Sequence, residues 1–343
     1  MDKEADAVAR VSAVVLAWQA EPWLRRGVEA LLASEKADVE VILVDNGCTT
    51  DDVEVLEHVE GVTVVRPGTN LGFAGGCNAG AAVATGDYVA LVNGDAIVEP
   101  TTIARLTDEA SRPGVGVVGA SIRLAGDPRL INSAGNPVHI LGLSWAGRLN
   151  EPEDRTQPEE VAVASGACLL MSLPEWRRLG GFDEEYFAYH EDTELSMRVW
   201  QTGGRVVYVP DAIAVHRYEF SRNATKYYLI ERNRLMFLGT LWGWRALLVL
   251  SPALAGLELG MLLLSAKQGW LGGKLRSYGW LLKHAGHIWR RRRQLRRERT
   301  VPDKVWMGRL TDQLDATAIE LPAVVGPLNA VMRAYWRIAR KLV

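Results

Sequence analysis

At 343 residues and 37.7 kDa, the chain is long enough for one large domain or two modest ones. The net charge is −2, so no global field recruits a nucleic acid, and none is expected as a partner. Cys48, Cys77 and Cys168 lie far apart without C-x-x-C spacing, which argues against a disulfide framework and for a reducing compartment.

The N-terminus, "MDKEADAVARVSAVVLAWQ", sets acidic residues before a short apolar run, so no secretory signal is expected. Val11–Ala17 is apolar throughout and predicts a strand covered on both faces. A helix is predicted over Pro22–Ser34, with its proline near the start. Strands are predicted at Val39–Asp45, Val62–Val65 and Tyr88–Asn93, with a small-residue helix over Gly75–Ala84, and another strand near 114–122. This rhythm predicts right-handed crossovers and an α/β fold, an open, mostly parallel sheet with flanking helices. Residues 123–158 are rich in Gly, Pro and Asn and read as loops with room for a hairpin. The apolar signal returns at Val161, and Arg205–Pro210 reads as a further strand.

After Arg222 the chain turns apolar and helical, which divides it into 1–225 and 226–343. Ala246–Leu264 is near the minimum length for spanning a bilayer, but Glu258 inside it would be costly at mid-membrane. The next stretch mixes Trp, Leu and Lys as an interfacial helix does, and "RRRRQLRRER" (Arg290–Arg299) follows. One crossing would place those arginines opposite a cytosolic N-terminal domain, against the positive-inside tendency. The expectation is a helix lying in, or re-entering, the inner leaflet, with the arginines on anionic headgroups. A buried core helix followed by a solvated basic face is the competing reading.

Several residues carry possible chemistry. Asp45 ends a strand in "VILVDNG", where open α/β sheets bind ligands, although Asp-Asn-Gly is equally turn chemistry. "NLGFAGGCNAG" (Asn70–Gly80) could bring backbone N–H groups to an anion, or could serve close helix–sheet packing. It is neither G-x-G-x-x-G nor a P-loop, so a dinucleotide enzyme is disfavoured. In "LVNGDAIVEP", Asn93 and Asp95 stand two apart at a strand end. They offer hard oxygen ligands for Mg2+ or Mn2+ on a diphosphate, Asp95 the more direct, or form a turn. Glu191 and Asp192, adjacent at a predicted helix start, either cap that helix or form a reactive pair. His216, at a late strand end, is either structural or a ligand.

Taken in order, "VILVDNGCTTDD", "NLGFAGGCNAG", "YVALVNGDAIVEP", "SGACLLMS", "GGFDEEYFAYHEDTELSMR" and "IERNRL" resemble the blocks of family 2 inverting glycosyltransferases of the GT-A fold. The likeness runs from about Val11 to Asn233 and is greatest to the bacterial rhamnosyltransferase-like branch. It implies that Asp45 contacts the donor's base and that Asn70, Gly72, Asn78 and Asn93 help hold the nucleotide sugar. Trp18 would stack near the base, although "LAWQ" departs from the family's usual polar ending. Asp95 and His216 would hold the metal, Asp192 would be the general base, and Glu191 would orient or tune it. The implied donor is a dTDP-, UDP- or GDP-sugar, dTDP-rhamnose first. The implied acceptor is lipid-linked, at the cytoplasmic face of the cell membrane, with Asp183 on its side; Arg232 and Arg234, just before the apolar region, either meet its pyrophosphate or are surface arginines snorkelling at the interface. A polyprenyl-phosphate sugar synthase and a non-catalytic membrane-bound module are the rival readings.

Overall fold

In the computed structural model, which describes residues 8–217, 224–315 and 322–343, the first apolar run forms β1 (Arg10–Gln19). β2 (Asp38–Cys48), β3 (Val62–Val65), β4 (Tyr88–Val92), β5 (Ala96–Val98) and β6 (Val115–Leu124) follow. β7 (Asp127–Ser133), β8 (Glu159–Glu160), β9 (Cys168–Ser172) and β10 (Arg205–His216) complete one sheet. Its order is β3-β2-β1-β4-β9-β6-β10-β5, with β7 paired to β6 and β8 to β10. Between these strands lie α1 (Leu24–Leu32), α2 (Asp52–Leu56), α3 (Gly72–Ala82), α4 (Thr102–Ala110), α5 (Leu173–Leu179) and α6 (Glu191–Gln201).

The α/β class is as expected, and the sheet is mixed. β1 runs parallel to β2 and β4, β2 to β3, and β6 to β10. β9 is antiparallel to both β4 and β6, because the chain re-enters at the carboxyl edge of β4 after its excursion through 125–167. β7 turns back on β6, the hairpin for which that segment had room. The carboxyl ends of β1, β2, β4 and β10 and the start of β9 therefore share one edge.

One face of β1, Val11, Ala13, Val15 and Ala17, packs on Leu24, Val28 and Leu31 of α1. Each buried Val or Leu contributes roughly 1.5–3 kcal/mol. Its other face receives α3 at very short range. A Cβ added at Gly80 would lie 2.4 Å from Val14 Cγ1, and one at Gly76 would lie 3.0 Å from the Leu16 methyls. Close helix–sheet packing is thus one cause of the glycine density in that helix.

Two compact units emerge. The first is Met1–Asn136, Ala146–Val199 and Gly204–Glu219; the second is Pro137–Trp145, Trp200–Gly203 and Phe220–Val343. The second unit contains α7 (Ala224–Leu241), α8 (Trp244–Lys267), α9 (Leu271–Lys283), α10 (Ala285–Glu298), α11 (Asp303–Trp306) and α12 (Pro322–Ala339). α8 is long and apolar enough to cross a membrane, with a mean hydropathy of 2.1 over its best window. Almost none of it is buried, so the core-helix reading of this stretch does not hold.

Candidate active site

Asp45 sits at the end of β2, and its Oδ1 accepts from the backbone N–H of Gly47 (3.2 Å) and Cys48 (3.1 Å). The turn chemistry of Asp-Asn-Gly is therefore real, and it leaves Asp45 half-buried at the sheet edge. Trp18, at the end of β1, is 52% exposed beside Gly47, an open indole face next to that carboxylate. The neighbouring Asn46, which sequence reading passed over, is buried. Its Nδ2 donates to Gly72 O (3.0 Å) and its Oδ1 accepts from Leu71 N (2.8 Å). Asn46 thus ties the end of β2 to the glycine loop.

That loop is itself pinned. Asn70 Oδ1 accepts from Gly72 N at 2.8 Å, and Ala74 N donates to Phe187 O at 3.0 Å. Gly72 has φ +71°, and a Cβ there would lie 2.3 Å from Phe187 O. Gly72→Ala is therefore expected to destabilise the fold by at least about 1–2 kcal/mol for the left-handed backbone alone. A lower denaturation midpoint at unchanged m value is the measurement that checks it.

A second corner forms where β4 ends. Asp95 Oδ1 lies 3.0 Å from His216 Nε2, and Asn93 Nδ2 lies 3.4 Å from the same nitrogen. On the far side of the ring, Asn132 Oδ1 is 2.9 Å from His216 Nδ1 and accepts its proton. That bond fixes the ring orientation and turns Nε2 toward Asp95 Oδ1, 3.0 Å away. Ligands at right angles on an octahedral ion with bonds of about 2.1 Å lie about 3 Å apart, so the pair fits Mg2+ or Mn2+. No cluster of three or more His, Cys, Asp or Glu suited to a metal occurs among the described residues. Two protein ligands are normal where substrate phosphates and water complete the shell.

The acidic pair opens α6, so the helix-start reading is also met. Just before it, Phe187, Tyr189 and His190 all have positive φ (61°, 72° and 71°), a concentration of left-handed non-glycine residues that costs backbone energy. Asp192 Oδ2 accepts from Gly166 N (2.9 Å), and its Oδ1 accepts from Thr193 N (2.6 Å). One residue further on, Ala167 O accepts from Asn93 N (3.0 Å). Asp192 is thereby linked, through Gly166 and Ala167, to the strand end that carries Asn93 and Asp95. Glu191 is buried, and its Oε2 has no hydrogen-bond partner. Burial, followed by the neighbouring charge of Asp192, pushes its carboxyl well above the usual range. Burial therefore favours the uncharged form of this carboxyl.

Other expected contacts fall elsewhere. The Asn78 amide is spent on Phe182, donating to its carbonyl (3.0 Å) and accepting from its N–H (2.9 Å), and it also reaches Glu184 (3.0 Å). It clasps α3 to the Gly-Gly-Phe loop instead of facing a ligand. Asp183 is buried and caps a single 3-10 turn, accepting from Glu185 N at 3.2 Å. In the second unit, Arg234 is fully buried and paired with Glu231 (2.9 Å) and Glu258. A cation at that depth is held by carboxylates, so its expected acceptor contact is set aside. Arg232 is buried between the rings of Trp280 and Tyr228, 4.5 and 5.6 Å from their centroids.

Comparison with known proteins follows the same lines. The model of glycosyl transferase family 2 matches residues 12–174. An N-acetylglucosaminyl-diphospho-decaprenol L-rhamnosyltransferase of Mycobacterium tuberculosis is 31% identical over 230 residues, covering 59% of this chain and 74% of that protein. Among solved structures, GalNAc-T7 with UDP, GalNAc and Mn2+ superposes with a TM-score of 0.59 at 18% identity, over 70% of this chain and 49% of that one. The mannosyltransferase PcManGT of Pyrobaculum calidifontis, with GDP-Man and Mn2+, gives 0.51 at 18% identity, over 97% of this chain and 86% of that one. At such identities, the structures speak to the fold.

Proposed function

The chain belongs to glycosyl transferase family 2, and on that premise we propose that it transfers a sugar, with inversion, from a nucleotide-sugar donor to a hydroxyl of a lipid-linked saccharide. Rhamnose is the first choice of sugar, from the rhamnosyltransferase relative, and the cytoplasmic face of the cell membrane is the place. The observation that carries the reading is the shared carboxyl edge, where Asp192 is hydrogen-bonded to Gly166, one residue from the Ala167 carbonyl that receives Asn93 N–H.

The chemistry follows from these groups. Asp192 accepts the proton of the acceptor hydroxyl as that oxygen bonds to the anomeric carbon. The bond to the diphosphate oxygen breaks, its electron pair leaves with the nucleoside diphosphate, and attack opposite the leaving group inverts the centre. A divalent ion held by Asp95 and His216 would, when bound, neutralise the charge growing on that diphosphate. Burial of Glu191 disfavours a second negative charge beside Asp192. Asp45 and Trp18 border the place for the base.

Thermal shift against a panel of nucleotide sugars, with and without Mn2+, tests the reading, because a ligand that binds only the folded state raises its melting temperature. A flat panel overturns it. Product analysis with a lipid-linked N-acetylglucosaminyl saccharide against a bare polyprenyl phosphate then separates the two acceptor classes.

Asn132 supplies a further expectation. It touches no substrate in this scheme and acts only through the His216 ring, so Asn132→Leu should weaken Mn2+ binding about 10–100-fold, as loss of such supporting bonds does. Titration of Mn2+ followed by electron paramagnetic resonance reads this without turnover, and Asn132→Gln should recover part of it.

A further inference from the structure

α8 divides into two stripes at helical spacing. Positions 246, 250, 254, 258, 261 and 265 recur every three or four residues and are buried or half-buried. On the other side Leu248, Pro252, Ala255, Leu259 and Leu263 are exposed, the three leucines by 60% or more. Ser251, on that outer side, turns its hydroxyl back to Leu248 O at 2.8 Å, so it presents little polarity.

The inner stripe carries Glu258, and its charge is balanced. Its Oε1 accepts from Arg234, and its Oε2 from Lys274 (2.8 Å) and Tyr278 (2.5 Å). Arg234 and Lys274, both fully buried, also bind Glu231. Two carboxylates and two cations close a neutral cluster that fixes the middle of α8 to α7 and α9. Where α8 begins, half-exposed Trp244 lies 6.2 Å from half-exposed Trp289 of α10, and Arg292 stacks 4.2 Å above Trp244. Arg290, Arg293, Arg296 and Arg297 around Trp289 are exposed.

We propose that α8 lies in the plane of an anionic bilayer as a one-sided wedge, its outer stripe among the acyl chains and the α10 arginines on lipid phosphates, and does not cross. The paired Trp244 and Trp289 suit the headgroup boundary, where indoles concentrate. Crossing is opposed by the cluster itself. A 24-residue helix is about 36 Å long. If it spanned, the groups clamped at its middle would descend with it into hydrocarbon. Exposed Arg276, two residues from Lys274, would follow without a carboxylate at that depth. In the plane, the cluster faces the protein and Arg276 stays among headgroups.

The inference rests on the membrane location in the reading above, and not on its donor or acceptor. The test uses the full chain with sealed vesicles of phosphatidylcholine, with or without phosphatidylglycerol. Flotation should require the anionic lipid and weaken with salt. Leu259→Glu with Leu263→Glu should lower the bound fraction about ten-fold or more, given the apolar area each leucine withdraws from water. Their melting temperature should not move, because both side chains are exposed. Single cysteines at the two ends, Arg245→Cys or Lys267→Cys on a Cys48→Ser background, should both react with an impermeant maleimide added outside. An end protected until the vesicles are lysed, or flotation indifferent to the glutamates, overturns the proposal. A nucleotide-sugar thermal shift on the same sample reports on the glycosyltransferase reading separately.

Discussion

Asp192→Asn is expected to reduce transfer roughly a hundred- to ten-thousand-fold, the range that general-base catalysis supplies, while donor binding is kept. The substitution is nearly isosteric, and an asparagine oxygen can still accept from Gly166 N, so the loop stays in place. What disappears is the ability to take a proton. Measured kcat should fall while the nucleotide-sugar thermal shift stands, and retained turnover would remove Asp192 from its role. Glu191→Gln makes a sharp contrast. Because burial beside Asp192 favours the uncharged form of Glu191, the amide copies that form, so transfer at neutral pH should change little and stability there should rise rather than fall. The sign of its pH dependence is set by a folded value raised above the unfolded one. Stability from this group is complete below the unfolded carboxyl range and is lost as pH rises through the raised value, a loss that Glu191→Gln removes.

The second large effect is expected at the cation corner. Asp95→Ala takes away the anionic partner 3.0 Å from His216 Nε2 and should abolish Mn2+-dependent stabilisation by the donor. Transfer should fall by at least a hundred-fold, since charge on the leaving group is then met by one protein ligand instead of two. Donor shifts with and without Mn2+, compared between the native chain and the variant, check this. A variant that still responds to Mn2+ would place the ion elsewhere.

Strands of β-branched residues covered on both faces were legible in the sequence, since burial leaves them a continuous apolar run. β3 is found over the very residues expected, and β1, β2 and β4 within a few residues at each end. The direction of β9 was not, because "CLLM" reads alike whichever way it runs; direction is decided by where the chain re-enters. The three-residue β5 is too short to show a period, yet by pairing Ala96 with His216 it brings the neighbouring Asp95 to that ring. The Asp95–His216 pair spans 121 positions, and spacing could not have found it; the resemblance did. Asn46, Asn132 and Gly166 were overlooked for a common reason. Each acts by holding backbone or another side chain, and a short polar residue in a loop has many such uses. Asn46 lay hidden within a turn signal, and Gly166 stood in "SGACLLMS" as part of a block without a role of its own. Asn78 stands differently: its motif position suggests a ligand contact, and its amide bonds Phe182 and Glu184.

One oxygen joins the two halves of the proposed pocket: Phe187 O takes the Ala74 N–H and fills the space a side chain at residue 72 would need. The segment carrying the acidic pair and the glycine segment can therefore be inherited, or grafted between relatives, only as a matched set. A chimera that imports a new sugar preference by exchanging one of them should arrive misfitted, and repair should come from changes in the other.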